Sequence, residues 1–364
     1  IFVISDSGEA TLAELLSRLV RGENWRTVHN TAYRDGGRWV FNPMRREPST
    51  EVKVDWSRWP IPAKGRAYVP VQAGVGCRFR CAFCDFRGLR SPTLRDPQSV
   101  IREIRSIPPA EDGVRRVYFT DDNLFASKAH ARRLLDGLAD AGLGLRWRGL
   151  VRVDVVDEAV ADQMARSGCF EVLLGVESGD SAMLRHMRKQ TRPERILEAV
   201  RLLSERGIHT KSTFIVGFPG ETEASLDRTV EFLNAYPVDG AALHRYLFFT
   251  FAALPLAETF SPAFRERWKL SGYGYEWRHA TMTSAEAERH LRRIQDAIRV
   301  ELSPSYVLEV PECEGLDRAA LKSVWVTRNR LARLQRGLPE AETEDRLWRR
   351  LGETFGEDAE MVKS

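Results

Sequence analysis

Gly76-Cys77-Arg78-Phe79-Arg80-Cys81-Ala82-Phe83-Cys84 puts three thiols on one short loop, spaced C-x3-C-x2-C. A four-iron cubane held only by protein needs four thiolates. Three at this spacing leave one iron open, and an open iron can bind a substrate or cosubstrate. The stretch therefore points to chemistry at a cluster rather than to electron storage alone. Structural zinc is the competing reading, but it takes four ligands, typically in two paired knuckles. The other two cysteines, Cys169 and Cys313, are isolated, and the seven histidines give no H-x3-H pair nearby. Five cysteines in 364 residues form no disulfide framework either.

Outward from this loop the chain alternates. Apolar strand-like runs fall at 68–73, 116–120, 145–151, 170–176, 210–216 and 241–248. Amphipathic helical stretches fall between them, at 97–107, 127–141, 157–167, 193–206 and 222–235. Six strands alternating with helices predict right-handed βαβ units around a parallel sheet. The expected fold is α/β: a partial (β/α)6 TIM-like barrel over residues 51–255. Loops at the C-terminal ends of such strands carry the site, and the cysteine loop follows the first strand.

Further candidates stand at the other strand ends. Asp121 and Asp122 follow the second strand. Adjacent carboxylates accept hydrogen bonds from an ammonium group, or one of them caps the next helix. Arg152 ends the third strand, suited to a bidentate carboxylate or to a salt bridge with Asp154 or Glu177. Gly175-Val176-Glu177-Ser178 ends the fourth, and Phe214-Ile215-Val216-Gly217-Phe218-Pro219-Gly220-Glu221-Thr222 the fifth. Glycines there let backbone approach a ligand closely.

In register, these stretches resemble the radical SAM superfamily across about residues 50–255. The resemblance implies that Cys77, Cys81 and Cys84 hold a [4Fe–4S] cluster whose fourth iron chelates S-adenosylmethionine. Phe83 then lies against the adenine. Asp121, Asp122 and Arg152 meet the methionine end, and Glu177 and Ser178 take the ribose or the amine. Gly217, Phe218, Pro219 and Gly220 border the nucleoside. Methylthiotransferases of this branch need three more cysteines upstream, and residues 1–76 have none. Coproporphyrinogen oxidases continue C-x2-C-x-C, where Phe86 stands here. Elongator-type enzymes carry an acetyltransferase domain, for which residues after Pro255 leave no room. The cobalamin-dependent methyltransferases fit best. One departure is Phe248–Pro255, which replaces that branch's usual proline and Gly-Thr after the sixth strand.

Residues 1–50 resemble the last strand and helix of a cobalamin-binding, Rossmann-like domain: a strand at 2–4, Gly8-Glu9, a helix at 10–19 and a Gly36-Gly37 turn. The body of such a domain, with any lower-ligand motif, is not in this chain, whose first residue, Ile1, suggests a longer protein. Beyond Pro255 alternation is expected to stop. Thr283-Ser284-Ala285-Glu286 is a capping box opening a helix to about Leu302. Helices at 317–336 and 340–355 follow. Residues 256–364 form a helical region closing one end of the barrel and helping to shape the substrate pocket.

The implied activity is cobalamin-dependent C-methylation of an unactivated or aromatic carbon, with the tryptophan indole of a natural-product pathway as the favoured substrate. Either a substrate radical receives the methyl group, or an electron-rich ring attacks it directly with help from a base. Tyr246 and His244 share a face of the sixth strand and are the candidate catalytic pair, with barrel packing as the alternative. The aromatic segment Trp268–Trp277 lines the pocket or fills the core. Cobalamin-free radical SAM chemistry and a non-catalytic electron carrier are the other readings.

The net charge of +4, from 55 basic and 51 acidic residues, does not suggest nucleic acid. Only 8 of the basic residues are lysine, a bias that codon usage in a GC-rich genome explains. Nothing reads as a membrane span. The expected protein is a cytoplasmic monomer reduced by a flavodoxin or ferredoxin, acting on a small molecule or peptide.

Overall fold

The computed structural model describes residues 1–3, 8–45, 54–61, 68–85, 93–239, 242–299, 301–304 and 318–355. Phe86, Cys313 and the start of the sixth expected strand lie outside these.

A small antiparallel sheet comes first. β1 (Phe2–Val3) pairs with β2 (Thr31–Asp35), and β2 with β3 (Arg38–Phe41); α1 (Glu9–Val20) lies between β1 and β2 in the chain. Gly36 and Gly37, at φ 52° and 82°, close the β2–β3 hairpin in the left-handed conformation that a two-residue turn needs. In α1 only Thr11 and Leu15 are buried. Leu12, Leu16, Leu19 and Val20 share another face and stay exposed.

The main body follows the expected alternation. β4 (Val69–Val71) leads into a short ribbon of β5 (Gly74–Val75) and β6 (Thr93–Leu94). Then come α2 (Pro97–Ser106), β7 (Arg115–Phe119), α3 (Lys128–Asp140), β8 (Leu145–Val151) and α4 (Glu158–Arg166). β9 (Cys169–Glu177), α5 (Ser181–His186), α6 (Pro193–Glu205), β10 (His209–Val216), α7 (Glu223–Asn234) and β11 (His244–Thr250) complete it. β4, β7, β8, β9, β10 and β11 lie side by side in that order, all parallel. Asp96, Ser127, Asp157, Asp180 and Thr222 each cap the helix that follows by accepting a backbone N–H.

Strand alternation sorts the side chains. Phe119 and Trp147 meet edge to face at 5.5 Å on the helix side, as do Phe214 and Phe232 at 6.4 Å. The alternate residues, among them Tyr118, Arg148, Leu173, Lys211 and Leu247, face the lumen and are only partly buried.

The alternation does not stop at Pro255. α8 (Pro262–Trp268), a hairpin of β12 (Ser271–Tyr273) and β13 (Glu276–Arg278), and α9 (Ser284–Ala297) lead to β14 (Ser303–Pro304). β14 pairs in parallel with β11, making a seventh strand. A two-residue strand has no periodicity for a sequence to display. α9 opens on the expected capping box of Thr283 and Glu286 but ends at Ala297, short of Leu302.

α10 (Arg318–Gln335) and α11 (Glu344–Phe355) bury Leu321, Val324, Trp325, Leu347 and Leu351 against Leu243 and Phe170. Those two residues lie where β11 and β9 begin. The helical region therefore covers the N-terminal mouth of the barrel, the end away from the cysteine loop. Among the described residues no helix is long and apolar enough to cross a membrane.

Candidate active site

Past β4 the chain turns through two glycines. A Cβ on Gly74 would come within 2.9 Å of the Thr93 carbonyl oxygen, and Gly76 takes φ 79°. The Gly76 N–H donates to Asp122 Oδ2 at 2.7 Å, and the Ala73 N–H to Asp121 Oδ2 at 3.0 Å. The carboxylates after β7 thus hold the start of the cysteine loop, a use of them that the sequence had not suggested. Burial pushes Asp121 up to about 7, against the N–H bonds that favour its charged form.

The rest of the loop is held by backbone. The Ala82 N–H donates to the Met187 carbonyl at 2.9 Å, the Ala82 carbonyl accepts from Thr259 N–H at 3.1 Å, and the Cys84 N–H reaches the Cys81 carbonyl at 3.2 Å. Cys81 is buried; Cys77 and Cys84 are half-buried. Among the described residues no three Cys, His, Asp or Glu side chains converge on one metal position.

Arg152, just past β8, reaches this loop. Its Nη1 lies 3.8 Å from Cys81 Sγ, its Nε donates to Asp154 Oδ1 at 2.8 Å, and its Nη2 donates to the Lys189 carbonyl at 2.7 Å. The guanidinium sits 3.6 Å over the Phe79 ring. The Asp154 salt bridge is formed, and it leaves Arg152 beside the thiol.

β9 delivers Glu177. Lys189 Nζ donates to its Oε1 at 2.7 Å, with 7% and 9% of the two side chains exposed. A Cβ on Gly175 would lie 2.7 Å from Glu177 Oε1 and 2.9 Å from Lys189 Nζ; the glycine of Gly175-Val176-Glu177-Ser178 makes room for this pair. Glu177 holds φ 72°, and the neighbours of Lys189, Arg188 and Gln190, hold 54° and 56°. Such non-glycine conformations cost on the order of 1–3 kcal/mol each and cluster at functional sites. Lys189 Nζ also lies 5.9 Å from the Phe83 ring centre. Lys189 stands in none of the motifs singled out from sequence, and its one signal was rarity.

Other expected site residues are placed elsewhere. Ser178 Oγ accepts from Asp180 N–H at 3.1 Å and lies 3.3 Å from Thr229 Oγ1, inside the turn beneath α7. Gly217 and Gly220 hold φ 88° and 97°, but their missing Cβ atoms make way for this chain's own indoles. Trp277 would be 2.5 Å from a Cβ on Gly217, and Trp268 2.6 Å from one on Gly220. Phe218, beside Pro219, is fully buried and packs on Phe251 at 5.5 Å. Glu221 accepts from the Gly217 N–H at 2.5 Å, and burial pushes it up to about 8.

His244 and Tyr246 do share a face, and it is the outward one. His244 Nδ1 lies 2.8 Å from the Thr210 hydroxyl, and its ring meets Tyr236, just past α7, at 5.7 Å. Tyr246 packs on Phe248 at 5.5 Å. Arg245, Leu247 and Phe249 take the inner face instead. Burial lowers His244 to about 4. Of the aromatic segment, Trp277 is buried, whereas Tyr273 and Tyr275 are exposed.

One strand-end mouth thus gathers three thiols, an aromatic ring, a guanidinium and a buried carboxylate. Residues 71–233 match the family model of the radical SAM superfamily. The curated relatives it matches include methyltransferases and anaerobic magnesium-protoporphyrin IX monomethyl ester cyclases. The chain is 28% identical to an uncharacterized methyltransferase of Pyrococcus horikoshii, over 66% of this chain and 54% of that one. It is 30% identical to the hopanoid C-2 methylase of Rhodopseudomonas palustris, over 51% and 38%. It thus spans about half the length, or less, of these curated relatives. In structure it is similar to the radical S-adenosylmethionine methyltransferase TsrM of Kitasatospora setae, solved with tryptophan and a SAM analogue, at TM-score 0.61 and 18% identity, covering 92% of this chain and 77% of that one. This likeness supports the fold.

Proposed function

We propose that the chain is the catalytic core of a cobalamin-dependent radical SAM C-methyltransferase. The observation that carries the reading is the contact of Arg152 with Cys81 Sγ, on the same lysine that pairs Glu177. In this reading Cys77, Cys81 and Cys84 hold the cluster. Phe83 backs the adenine, Glu177 accepts from the ammonium or ribose of S-adenosylmethionine, and Arg152 faces its carboxylate. Asp121 and Asp122 act one step back by fixing the loop. The bound cofactors supply the electron, the open iron and the methyl carrier; the barrel positions them and excludes water.

The exposed Leu12, Leu16, Leu19 and Val20 face of α1 supports residues 1–50 as part of a larger cobalamin-binding domain, whose remaining elements would cover it. The substrate reading is an aromatic carbon, with the tryptophan indole favoured. Tyr118 and Arg148, 5.0 Å apart in the lumen, offer a flat ring and a cation there.

The test uses the longer natural protein without oxygen, with methyl-labelled S-adenosylmethionine, reductant and candidate substrates. Label on a substrate carbon only when cobalamin is present is the expected result. Deoxyadenosine and product that ignore cobalamin would move the chain to the cobalamin-free class.

A further inference from the structure

Lys189 is out of character for this chain. Arginine outnumbers lysine 47 to 8, yet a lysine fills this nearly buried position. Its backbone is bent on both sides, with Arg188 and Gln190 at positive φ. One residue thus does two things. Its ammonium takes Glu177 Oε1 at 2.7 Å, and its carbonyl takes Arg152 Nη2 at 2.7 Å. Arg152 in turn stands 3.8 Å from Cys81 Sγ. Glu177 Oε2 meets only the Thr213 hydroxyl among the described residues, at 3.5 Å, which leaves that oxygen directed and ready to accept a ligand's donor.

We propose that Lys189 is a positioning residue that couples the cosubstrate end of the site to the cluster. Its ammonium fixes Glu177 so that Oε2 faces the ligand, and its carbonyl holds Arg152 against the Cys81 sulfur. A lysine suits this better than an arginine. The ammonium is a compact point charge that fits above Gly175, whereas a guanidinium needs a wide fork. Charge at the cluster end also matters: the Arg152 guanidinium, 3.8 Å from Cys81 Sγ, favours the more negative, reduced state, and a Glu177 carboxylate left without its lysine would oppose it.

This inference rests on the cluster assignment above, and the test separates the two. Wild-type protein, Lys189→Met, Lys189→Arg, Glu177→Gln and the Glu177→Gln/Lys189→Met pair are reconstituted anaerobically. Iron content, S-adenosylmethionine affinity by equilibrium dialysis and cluster midpoint potential by paramagnetic resonance are measured. Lys189→Met should bind S-adenosylmethionine about tenfold more weakly and shift the potential down, with Lys189→Arg recovering the potential. Removing one partner leaves a lone buried charge, so Lys189→Met and Glu177→Gln are both at risk of misfolding; the paired variant leaves none. The pair should keep the cluster at near wild-type potential yet bind S-adenosylmethionine as weakly as Glu177→Gln alone. Wild-type affinity in the pair, or a wild-type potential in a folded Lys189→Met, overturns the coupling role. A wild-type protein that takes up no cluster overturns the functional reading itself.

Discussion

β9 supplies a buried carboxylate to each mouth of the barrel, and the two are built differently. At its start Glu171 pairs with Arg245 under the Trp325 ring, just past a register shift against β8 and sealed by α10 and α11. At its end Glu177 pairs with Lys189, on backbone at φ 72°, beside a guanidinium that reaches a cysteine sulfur. Burial and pairing are common to both. The left-handed backbone at Glu177, Arg188 and Gln190 and a loop of three thiols occur only at the second; the first has Cys169 alone. A buried ion pair alone therefore marks no site; the strain around it does.

The sharpest break in this comparison is between cysteines. Cys81→Ala should lose the cluster and all activity, because one of three thiolates is gone. Cys169→Ala, at the far mouth, should keep both; burial and nearby Glu171 raise that thiol well above its ordinary range and leave it inert. Iron analysis and visible absorbance after reconstitution decide it, and about four irons per chain in Cys81→Ala would refute the assignment.

The next effect is on stability. Arg245→Ala strands Glu171 and should cost about 3–5 kcal/mol in a urea titration, while Arg245→Met with Glu171→Leu should come out near neutral. S-adenosylmethionine affinity of the folded variants should not change. A matching loss of affinity would mean that the two mouths are coupled.

The smallest effect depends on pH. His244 is held neutral by burial, lowered to about 4 from 6.5. Between those values the unfolded chain binds the extra proton, so stability is full above about 6.5 and falls as pH drops toward 4, by roughly 3 kcal/mol. Replacing His244 with Gln should flatten that slope; an unchanged slope would assign the acid sensitivity elsewhere.

The barrel was legible because each βα unit carries its own signals: a short apolar run, a capping residue, an amphipathic helix. The cysteine loop was legible because its ligands are adjacent in sequence. Lys189 was not, since its partners Glu177 and Arg152 lie 12 and 37 positions away and no spacing rule links them. The facing of His244 and Tyr246 was missed because both parities of β11 mix polar and apolar residues, so the alternation does not say which row meets the helices. The Gly217–Gly220 loop was read toward a nucleoside, and the bulk it admits comes from Trp268 and Trp277, 48 and 60 residues downstream.

The sheet ends at β4 on one side and at the two residues of β14 on the other, and among the described residues those edges do not pair. Pro304 has no N–H to offer a further strand. A closed barrel has its girth fixed by strand number and stagger. Among the described residues no ladder closes this one, so strand pairing along that seam does not fix its girth.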